Sequence, residues 1–124
     1  MSRYIISSVI IGALSLASVT SSAIDKKRGK RVFNKCKACH SLIAGRNHVG
    51  PTLYGIFGRK AAILPNYRYS KAMKNSGITW DEESLRKYLE RPRVFVKGTR
   101  MAFAGVKKRD EMDDLIAFLK DATK

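Results

Sequence analysis

The feature that most constrains this chain is the segment Cys36-Lys37-Ala38-Cys39-His40. Two thiols three positions apart span about one helical turn, so both can reach one face of one flat molecule together with the histidine that follows. This spacing is typical of covalent haem attachment, in which each sulfur bonds to one vinyl group and the histidine nitrogen binds the iron. The segment therefore predicts a chain that folds around a covalently bound haem.

Three other kinds of site share parts of this pattern. A thioredoxin-type redox pair has the same cysteine spacing, but it needs a preceding strand and alternating strands and helices, which this sequence does not predict. A structural zinc site needs four ligands, and the chain offers only Cys36, Cys39, His40 and His48, of which Cys39 and His40 are adjacent and poorly placed for one tetrahedron. A plain disulfide would leave His40 without a role.

Length and charge narrow the class of protein further. A chain of 124 residues, 44% of them hydrophobic, predicts one small domain whose modest core an apolar cofactor would complete. The excess of 25 Lys and Arg over 10 Asp and Glu gives a net charge of +15, which attracts acidic partners unless it merely solvates the surface. We find no helix-turn-helix, zinc-finger or RNA-binding signature, so we expect no nucleic-acid partner.

Residues 1–23 differ in character from the rest of the chain. Arg3 is followed by an apolar stretch, 4–19, that is shorter than the ~20 residues a membrane-spanning helix needs, and small residues follow at 21–23. This pattern predicts a cleaved export signal, with an uncleaved membrane anchor as the alternative, ahead of a domain at 24–124. Because haem of this type is attached outside the cytoplasm, we expect a periplasmic protein, or one anchored to the membrane and facing the periplasm.

Hydrophobic periodicity predicts helices at both ends of the domain. The first covers 25–35 and delivers Cys36, and the last begins at a capping Asp110 and ends near Ala122. Gly29 lies inside the first helix, where a close crossing with Phe118 or Leu115 of the last helix would explain it.

The middle of the domain predicts two shorter helices between loops. Ser70 caps a turn that covers 71–75, and a capping box of Thr79 and Glu82 opens a helix that ends at Pro92. Glycines and prolines indicate loops at 40–68, and 93–109 is expected to be irregular. Composition leaves open whether Trp80 meets a haem propionate or packs in the core. His48 is expected to make a structural hydrogen bond in its loop, with a second iron ligand as the alternative.

Several ordered blocks resemble one known family. They are GPTLYGIFGRK at 50–60, GITW at 77–80, YLERP at 88–92, GTRMAFAG at 98–105 and DLIAFLKDATK at 114–124, together with the CKACH segment. From about Gly29 to Lys124 the chain resembles class I cytochromes c, close to the mitochondrial type and to bacterial cytochromes c2. The resemblance implies an all-α cytochrome c fold, a small helical domain wrapped around one haem c that is bound through Cys36 and Cys39.

The resemblance also implies roles for residues around the haem. His40 would be the proximal iron ligand and Met101 the distal one, while Met73 and Met112 lie on predicted helices and are expected in the core. The carbonyl of Pro51 would orient His40. The other implied haem-contacting residues are Tyr88 and Thr99 near the distal sulfur, Arg59, Tyr69, Ser70 and Trp80 around the propionates, and Phe103 at the exposed haem edge.

An iron with both axial positions filled has no open site for oxygen or substrate, so we expect a one-electron carrier and not an enzyme. Its expected partners are acidic docking surfaces of a quinol–cytochrome c reductase and a terminal cytochrome oxidase in a respiratory or photosynthetic chain. We expect a monomer that contacts a membrane only if 1–23 is retained. The expected docking charges are Lys35, Lys37, Lys97 and Arg100. The alternative is a haem peroxidase with a labile sixth ligand, since Lys97 replaces a proline that is usual in the family.

Overall fold

The computed structural model describes residues 12–13, 15–18 and 22–124. Five helices follow one another: α1 (Lys26–Phe33), α2 (Lys71–Lys74), α3 (Glu82–Glu90), α4 (Pro92–Phe95) and α5 (Arg109–Ala122). Within these ranges the only strand-like pairing is an isolated antiparallel bridge between Lys60 and Thr79. The predicted all-α class is confirmed.

The two terminal helices, α1 and α5, cross at Gly29. A Cβ atom built at Gly29 would lie 2.1 Å from the carbonyl oxygen of Asp114 and 2.9 Å from Cβ of Phe118. The rings of Phe33 and Phe118 pack beside this crossing, with centroids 5.4 Å apart. The close crossing expected at Gly29 is therefore present, and Phe118 is the side chain beside it.

The core lies between these helices and α3. The inward residues predicted for α5, Met112, Leu115, Ile116 and Leu119, are all buried. The other buried apolar residues are Val32 and Phe33 of α1, Leu85 and Tyr88 of α3, and Ile56, Trp80, Val96 and Val106 from the connecting segments. Several core residues also line a cavity, so the core forms part of the wall of the site described below.

The end of α1 places the CKACH segment. The helix ends at Phe33, two residues before the predicted limit, and tighter turns continue from it. The amide of Cys36 donates to the carbonyl of Phe33 at 2.7 Å, and the amide of His40 donates to the carbonyl of Cys36 at 2.9 Å. These bonds wind the cysteines and the histidine into one compact turn.

The prediction that Thr79 opens the third helix was wrong. Asp81 is the N-cap, its side chain accepting from the amide of Ser84, while the Ser84 hydroxyl accepts from the amide of Asp81. The chain after Thr79 does not turn into a helix, because Thr79 forms the bridge with Lys60, the amide of Trp80 donates to the carbonyl of Arg59 at 2.8 Å, and Asp81 is itself extended. The capping box therefore forms two residues later than predicted.

Two further features differ from the prediction. Helix α3 ends at Glu90, just before Pro92 as predicted, but residues 93–95, expected to be irregular, belong to α4. Pro92 opens this helix, because a proline at the first helical position loses no hydrogen bond and its fixed φ suits the helix. The start of α5 is at Arg109, with Lys108 as an N-cap that makes no side-chain bond. Asp110 lies in the first turn, where its charge favours the helix N-terminus without capping it.

The long loop expected at 40–68 is present and contains no helix. Thr52 organises it, since its hydroxyl donates to the carbonyl of Ile43 at 2.7 Å and its amide donates to the side chain of Asn47 at 2.9 Å. The side chain of His48 is exposed, so the structural hydrogen bond expected of it gains no support. In contrast, α2 follows the capping Ser70 as predicted.

In the described ranges, no helix has both the length and the apolar character needed to cross a bilayer. The predicted export signal covers 1–23, of which only 12–13, 15–18 and 22–23 belong to the described residues.

Candidate functional site

A cavity of about 610 Å³ lies against α1, α2, α3 and α5. Its volume is in the range of about 300–1,000 Å³ found for pockets that hold cofactors and other small molecules. All twelve residues proposed from the sequence as haem-contacting line it: Cys36, Cys39, His40, Pro51, Arg59, Tyr69, Ser70, Trp80, Tyr88, Thr99, Met101 and Phe103. The structure thus brings together residues that are up to 67 positions apart in the chain.

His40 is held at one wall of this cavity. Its Nδ1 lies 2.7 Å from the carbonyl oxygen of Pro51, so Nδ1 carries the proton and Nε2 keeps a free lone pair. Burial lowers the pKa of His40, and the charge of Arg59 adds to this, while the hydrogen bond to Pro51 opposes it. The imidazole is therefore neutral at neutral pH and able to bind a metal through Nε2.

The two cysteines are free thiols on the same cavity. Cys36 is half-buried, and burial together with neighbouring Cys39 raises the pKa of its thiol to about 11, against the opposing charge of Lys35. Cys39 is exposed. Because both cysteines are free and line the same cavity as His40, the shared-cofactor interpretation gains support and the disulfide interpretation does not.

Met101 lies in an irregular segment that hydrogen bonds hold to α3. The hydroxyl oxygens of Tyr88 and Thr99 are 2.6 Å apart, and the amide of Met101 donates to the Thr99 hydroxyl at 3.3 Å. Burial raises the pKa of Tyr88, so its hydroxyl stays protonated at neutral pH. Helix α3 therefore positions the methionine segment through a buried tyrosine.

The methionines are not equivalent. Met101 and Met73 both line the cavity, whereas Met112 is buried in the core, 6% exposed, and does not line the cavity. The expectation that Met112 is a core residue is consistent with this placement. Met73, also expected in the core, is only partly buried: it packs against the core from α2 and lines the cavity.

Polar side chains occupy another part of the wall. The guanidinium of Arg59 donates to the carbonyls of Tyr54 and Thr52, each at 2.9 Å, which fixes its position. Ser70 accepts from the amide of Met73 at 3.0 Å and keeps its hydroxyl proton for another acceptor. Burial raises the pKa of Tyr69, which leaves a neutral phenol there. A cation and two hydroxyl donors can bind the carboxylates of a cofactor.

Trp80 joins the polar part of the cavity to the core. Its side chain is 6% exposed, and its ring packs against Tyr88 with centroids 5.1 Å apart. It also lines the cavity. Core packing and contact with a cofactor, which composition left as alternatives, are therefore compatible for this residue.

The lining residues fit a covalently bound haem. Two free thiols can form the covalent bonds to a porphyrin, and a neutral imidazole and a thioether can bind its iron. Among the described residues, no three His, Cys, Asp or Glu side chains come together as a metal cluster, so the zinc interpretation lacks its ligand set.

Charge is segregated along the chain. The stretches 26–80 and 91–109, which supply most of the cavity wall and its surroundings, contain no Asp or Glu. The acidic residues lie at Asp25 and in the stretches 81–90 and 110–121. There they pair with helix cations, as Lys26 does with Asp121 and Lys87 with Glu83. The unbalanced positive charge therefore belongs to the cavity-forming segments.

Tyr67 and Gly50 are among the cavity residues that the sequence patterns did not single out as site residues. Tyr67 packs edge-on against Tyr69, with centroids 4.7 Å apart, and its hydroxyl donates to the carbonyl of Val49 at 2.8 Å. Tyr67 could have been predicted from its position two residues before Tyr69, since alternate residues of an extended segment lie on the same face. Gly50 lies against the imidazole of His40, and no local pattern announces this contact.

Comparisons with known proteins agree with this geometry. The family model described as "Cytochrome c" matches residues 26–123. Cytochrome c of Euglena viridis is 47% identical over 97 residues, covering 77% of this chain and 95% of the relative. Cytochrome c2 of Blastochloris viridis is 44% identical over 115 residues, covering 90% of this chain and 91% of the relative.

A solved structure shows the same fold. Cytochrome cH from Methylobacterium extorquens superposes with a TM-score of 0.73 at 43% sequence identity, and the match covers 78% of this chain and 98% of that chain.

Proposed function

The chain belongs to the cytochrome c family, and on that basis we propose that it carries single electrons between a quinol–cytochrome c reductase and a terminal cytochrome oxidase. The observation that carries the proposal is the convergence of Cys36, Cys39, His40 and Met101 on one cavity. Haem, when bound, would supply an iron that gains and loses one electron.

The protein's own residues would hold that iron and close it to other ligands. Cys36 and Cys39 would attach one haem c through their sulfurs, and His40 and Met101 would bind its iron. The carbonyl of Pro51 keeps the proton of His40 on Nδ1 and so leaves Nε2 for the metal. A thioether ligand and an apolar wall both favour the ferrous state, which raises the reduction potential.

The polar residues of the cavity would orient the cofactor. Arg59, Tyr69, Ser70 and Trp80 would bind its carboxylates, since they present a cation and neutral donors on one part of the wall. Tyr88 and Thr99 would hold the methionine segment against the distal face through their hydrogen bond.

Docking would use the positive surface around the cavity. Lys35 and Arg100 line the cavity, and Lys37 and Lys97 are exposed in the two segments that carry the iron ligands. An acidic partner would be steered to this surface and released quickly, as a carrier requires. We propose that the protein does this as a monomer.

We also propose that 1–23 is an export signal and that the mature periplasmic protein begins at Ile24. The structure supports a boundary at this point, because Ser22, Ala23 and Ile24 are exposed and outside any helix. Asp25 must be kept, since its side chain caps α1 and its amide donates to Asp114 at 2.7 Å. The mass of the exported protein would locate the cut, and a mass that includes 1–23 would indicate the anchor instead.

The test of the carrier is the state of the iron in protein produced by cells that attach haem c. We expect low-spin spectra in both oxidation states, a weak red iron–thioether band in the ferric protein, and resistance to cyanide and carbon monoxide. Acidic organic solvent should leave the pigment on the chain. A high-spin spectrum with ready cyanide binding would contradict the carrier and support a peroxidase.

A matched set of variants assigns the distal ligand. Met101→Ala should lose the red band and bind cyanide readily, because it removes the proposed thioether. Met73→Leu and Met112→Leu each remove one other described thioether with little change in volume and should keep the band. Loss of the band in either leucine variant alone would contradict the assignment of Met101.

A further inference from the structure

The backbone of Gly50 lies so close to the imidazole of His40 that a residue with a side chain would not fit at this position. A Cβ atom built at Gly50 would lie 2.4 Å from Cε1, 2.7 Å from Nδ1 and 2.8 Å from Nε2 of that ring. Non-bonded carbon atoms pack at about 3.5–4.0 Å, so a methyl group here would overlap the ring by about 1 Å. Gly50 does not have a positive φ, so backbone conformation is not what requires glycine.

Neither partner of this contact is free to move away. The ring is tied through Nδ1 to the carbonyl of Pro51 at 2.7 Å. The backbone of Gly50 is tied at both polar groups, because its amide donates to the carbonyl of Cys39 at 2.7 Å and its carbonyl accepts from the amide of His48 at 3.0 Å. The glycine is buried, and its backbone packs directly on the imidazole.

We propose that Gly50 is a positioning residue that sets the orientation of the His40 imidazole plane. Two neighbouring residues then define the ring: the carbonyl of Pro51 fixes the direction of Nδ1, and the bare Cα of Gly50 limits rotation and tilt. The inference rests on the proposed function in one respect, since it takes Nε2 of His40 as the iron ligand. The contact with Gly50 adds a steric constraint on the ring to the hydrogen bond that Pro51 provides.

The variant that tests this is Gly50→Ala in the haem-loaded protein. The unpaired spin of a ferric haem is distributed according to the plane of its axial imidazole, so the proton NMR shifts of the haem methyl groups report ring orientation. We expect the order or spacing of these resonances to change. We also expect the His40 Nδ1 proton to exchange with solvent about tenfold faster or more, because the ring can no longer keep its bond to Pro51 closed.

Gly29→Ala is the matched control. It adds the same methyl group at another crowded glycine without positive φ, 2.1 Å from the carbonyl of Asp114 at the crossing of α1 and α5. It should lower the thermal midpoint but leave the methyl resonances and the Nδ1 exchange rate as in the unaltered protein. Unchanged methyl resonances in Gly50→Ala, or equal changes in both variants, would overturn the proposal.

A measurement on the unaltered protein keeps the proposal testable if Gly50→Ala does not accumulate. In the diamagnetic ferrous state, the α-protons of Gly50 should show a strong nuclear Overhauser effect to the Cε1 proton of His40. Absence of that effect, in a protein whose spectrum shows a histidine ligand, would overturn the role of Gly50 alone. Absence of a histidine ligand would instead overturn the proposed function.

Discussion

At the residue scale, the least expected group is the carboxylate of Asp114. Its side chain is 2% exposed, although it lies on α5 among apolar residues. It accepts from the amide of Asp25 at 2.7 Å and from Nε of Arg28. Burial alone would raise the pKa of Asp114, but these donors outweigh it, so its pKa lies below the ordinary value of 3.8. A charged carboxylate thus holds the start of α1 against α5.

Asp114→Asn should destabilise the fold and make the free energy of unfolding depend less on pH in the acid range. A carboxylate with a lowered pKa in the folded state adds stability above its unfolded pKa, and this is lost as the pH falls through the folded pKa. We expect the variant to lose about 2 kcal/mol at neutral pH, as is usual for a hydrogen bond to a buried charged group. The difference from the unaltered protein should begin to shrink below about pH 4, where the carboxyl of the unfolded chain becomes protonated. It should be lost only as the pH falls through the lower pKa of the folded state, where the carboxyl has no charge in either state.

Denaturant unfolding at a series of pH values measures this effect. Asp121→Asn is the control, because it removes an α5 carboxylate that also pairs with α1, through Lys26, but is half-exposed. The control should change little, as exposed ion pairs contribute little. A constant difference between Asp114→Asn and the unaltered protein from pH 2 to pH 7 would contradict the pKa direction.

At the scale of helices, the sequence predicted well the elements whose ends are set by local patterns, and poorly those whose limits depend on tertiary contacts or that carry no periodic signal. The apolar stripe of α5 and the cap of α2 followed from local patterns that the structure keeps. The start of α3 did not, because the bridge of Thr79 with Lys60 is a contact between distant residues that overrides a good local cap. Helix α4 was missed because four residues carry no periodic signal. Local rules therefore fail where tertiary contacts set the limits.

Gly29→Ala tests the helix crossing by the sign of its effect. Alanine favours an unconstrained helix over glycine by about 1 kcal/mol, so the substitution would stabilise an isolated α1. At the crossing the added methyl overlaps the carbonyl of Asp114, and we expect a loss of about 3 kcal/mol, at the upper end of overpacking costs. Denaturant unfolding decides, with Lys30→Ala on the exposed side of α1 as the control. A gain in stability would show that α1 and α5 do not pack at this point.

At the scale of the whole molecule, the sequence predicted the cofactor site better than the contacts that hold it. The spacing of Cys36, Cys39 and His40 has a chemical cause that no tertiary contact alters. The contact of Gly50 with His40, and the burial of Asp114, depend on segments that meet only after folding. The same holds for charge. The net charge of +15 follows from the sequence, but only the structure shows that the segments without acidic residues form most of the cavity wall.

That separation predicts where docking should be sensitive to charge. Lys35→Gln with Lys97→Gln removes two exposed positive charges from the segments that carry the proposed iron ligands, while Lys27→Gln with Lys30→Gln removes two from exposed positions of α1. Both double variants have the same net charge, so a difference between them reports the position of the charges.

We expect the first pair to slow oxidation by a purified cytochrome oxidase about fivefold at low ionic strength, because it weakens steering toward an acidic partner. The difference should fade as salt shortens the screening length from about 10 Å at 0.1 M to about 3 Å at 1 M. Equal slowing by the two pairs would mean that net charge alone guides the encounter, and rates insensitive to salt would mean that electrostatic docking does not occur.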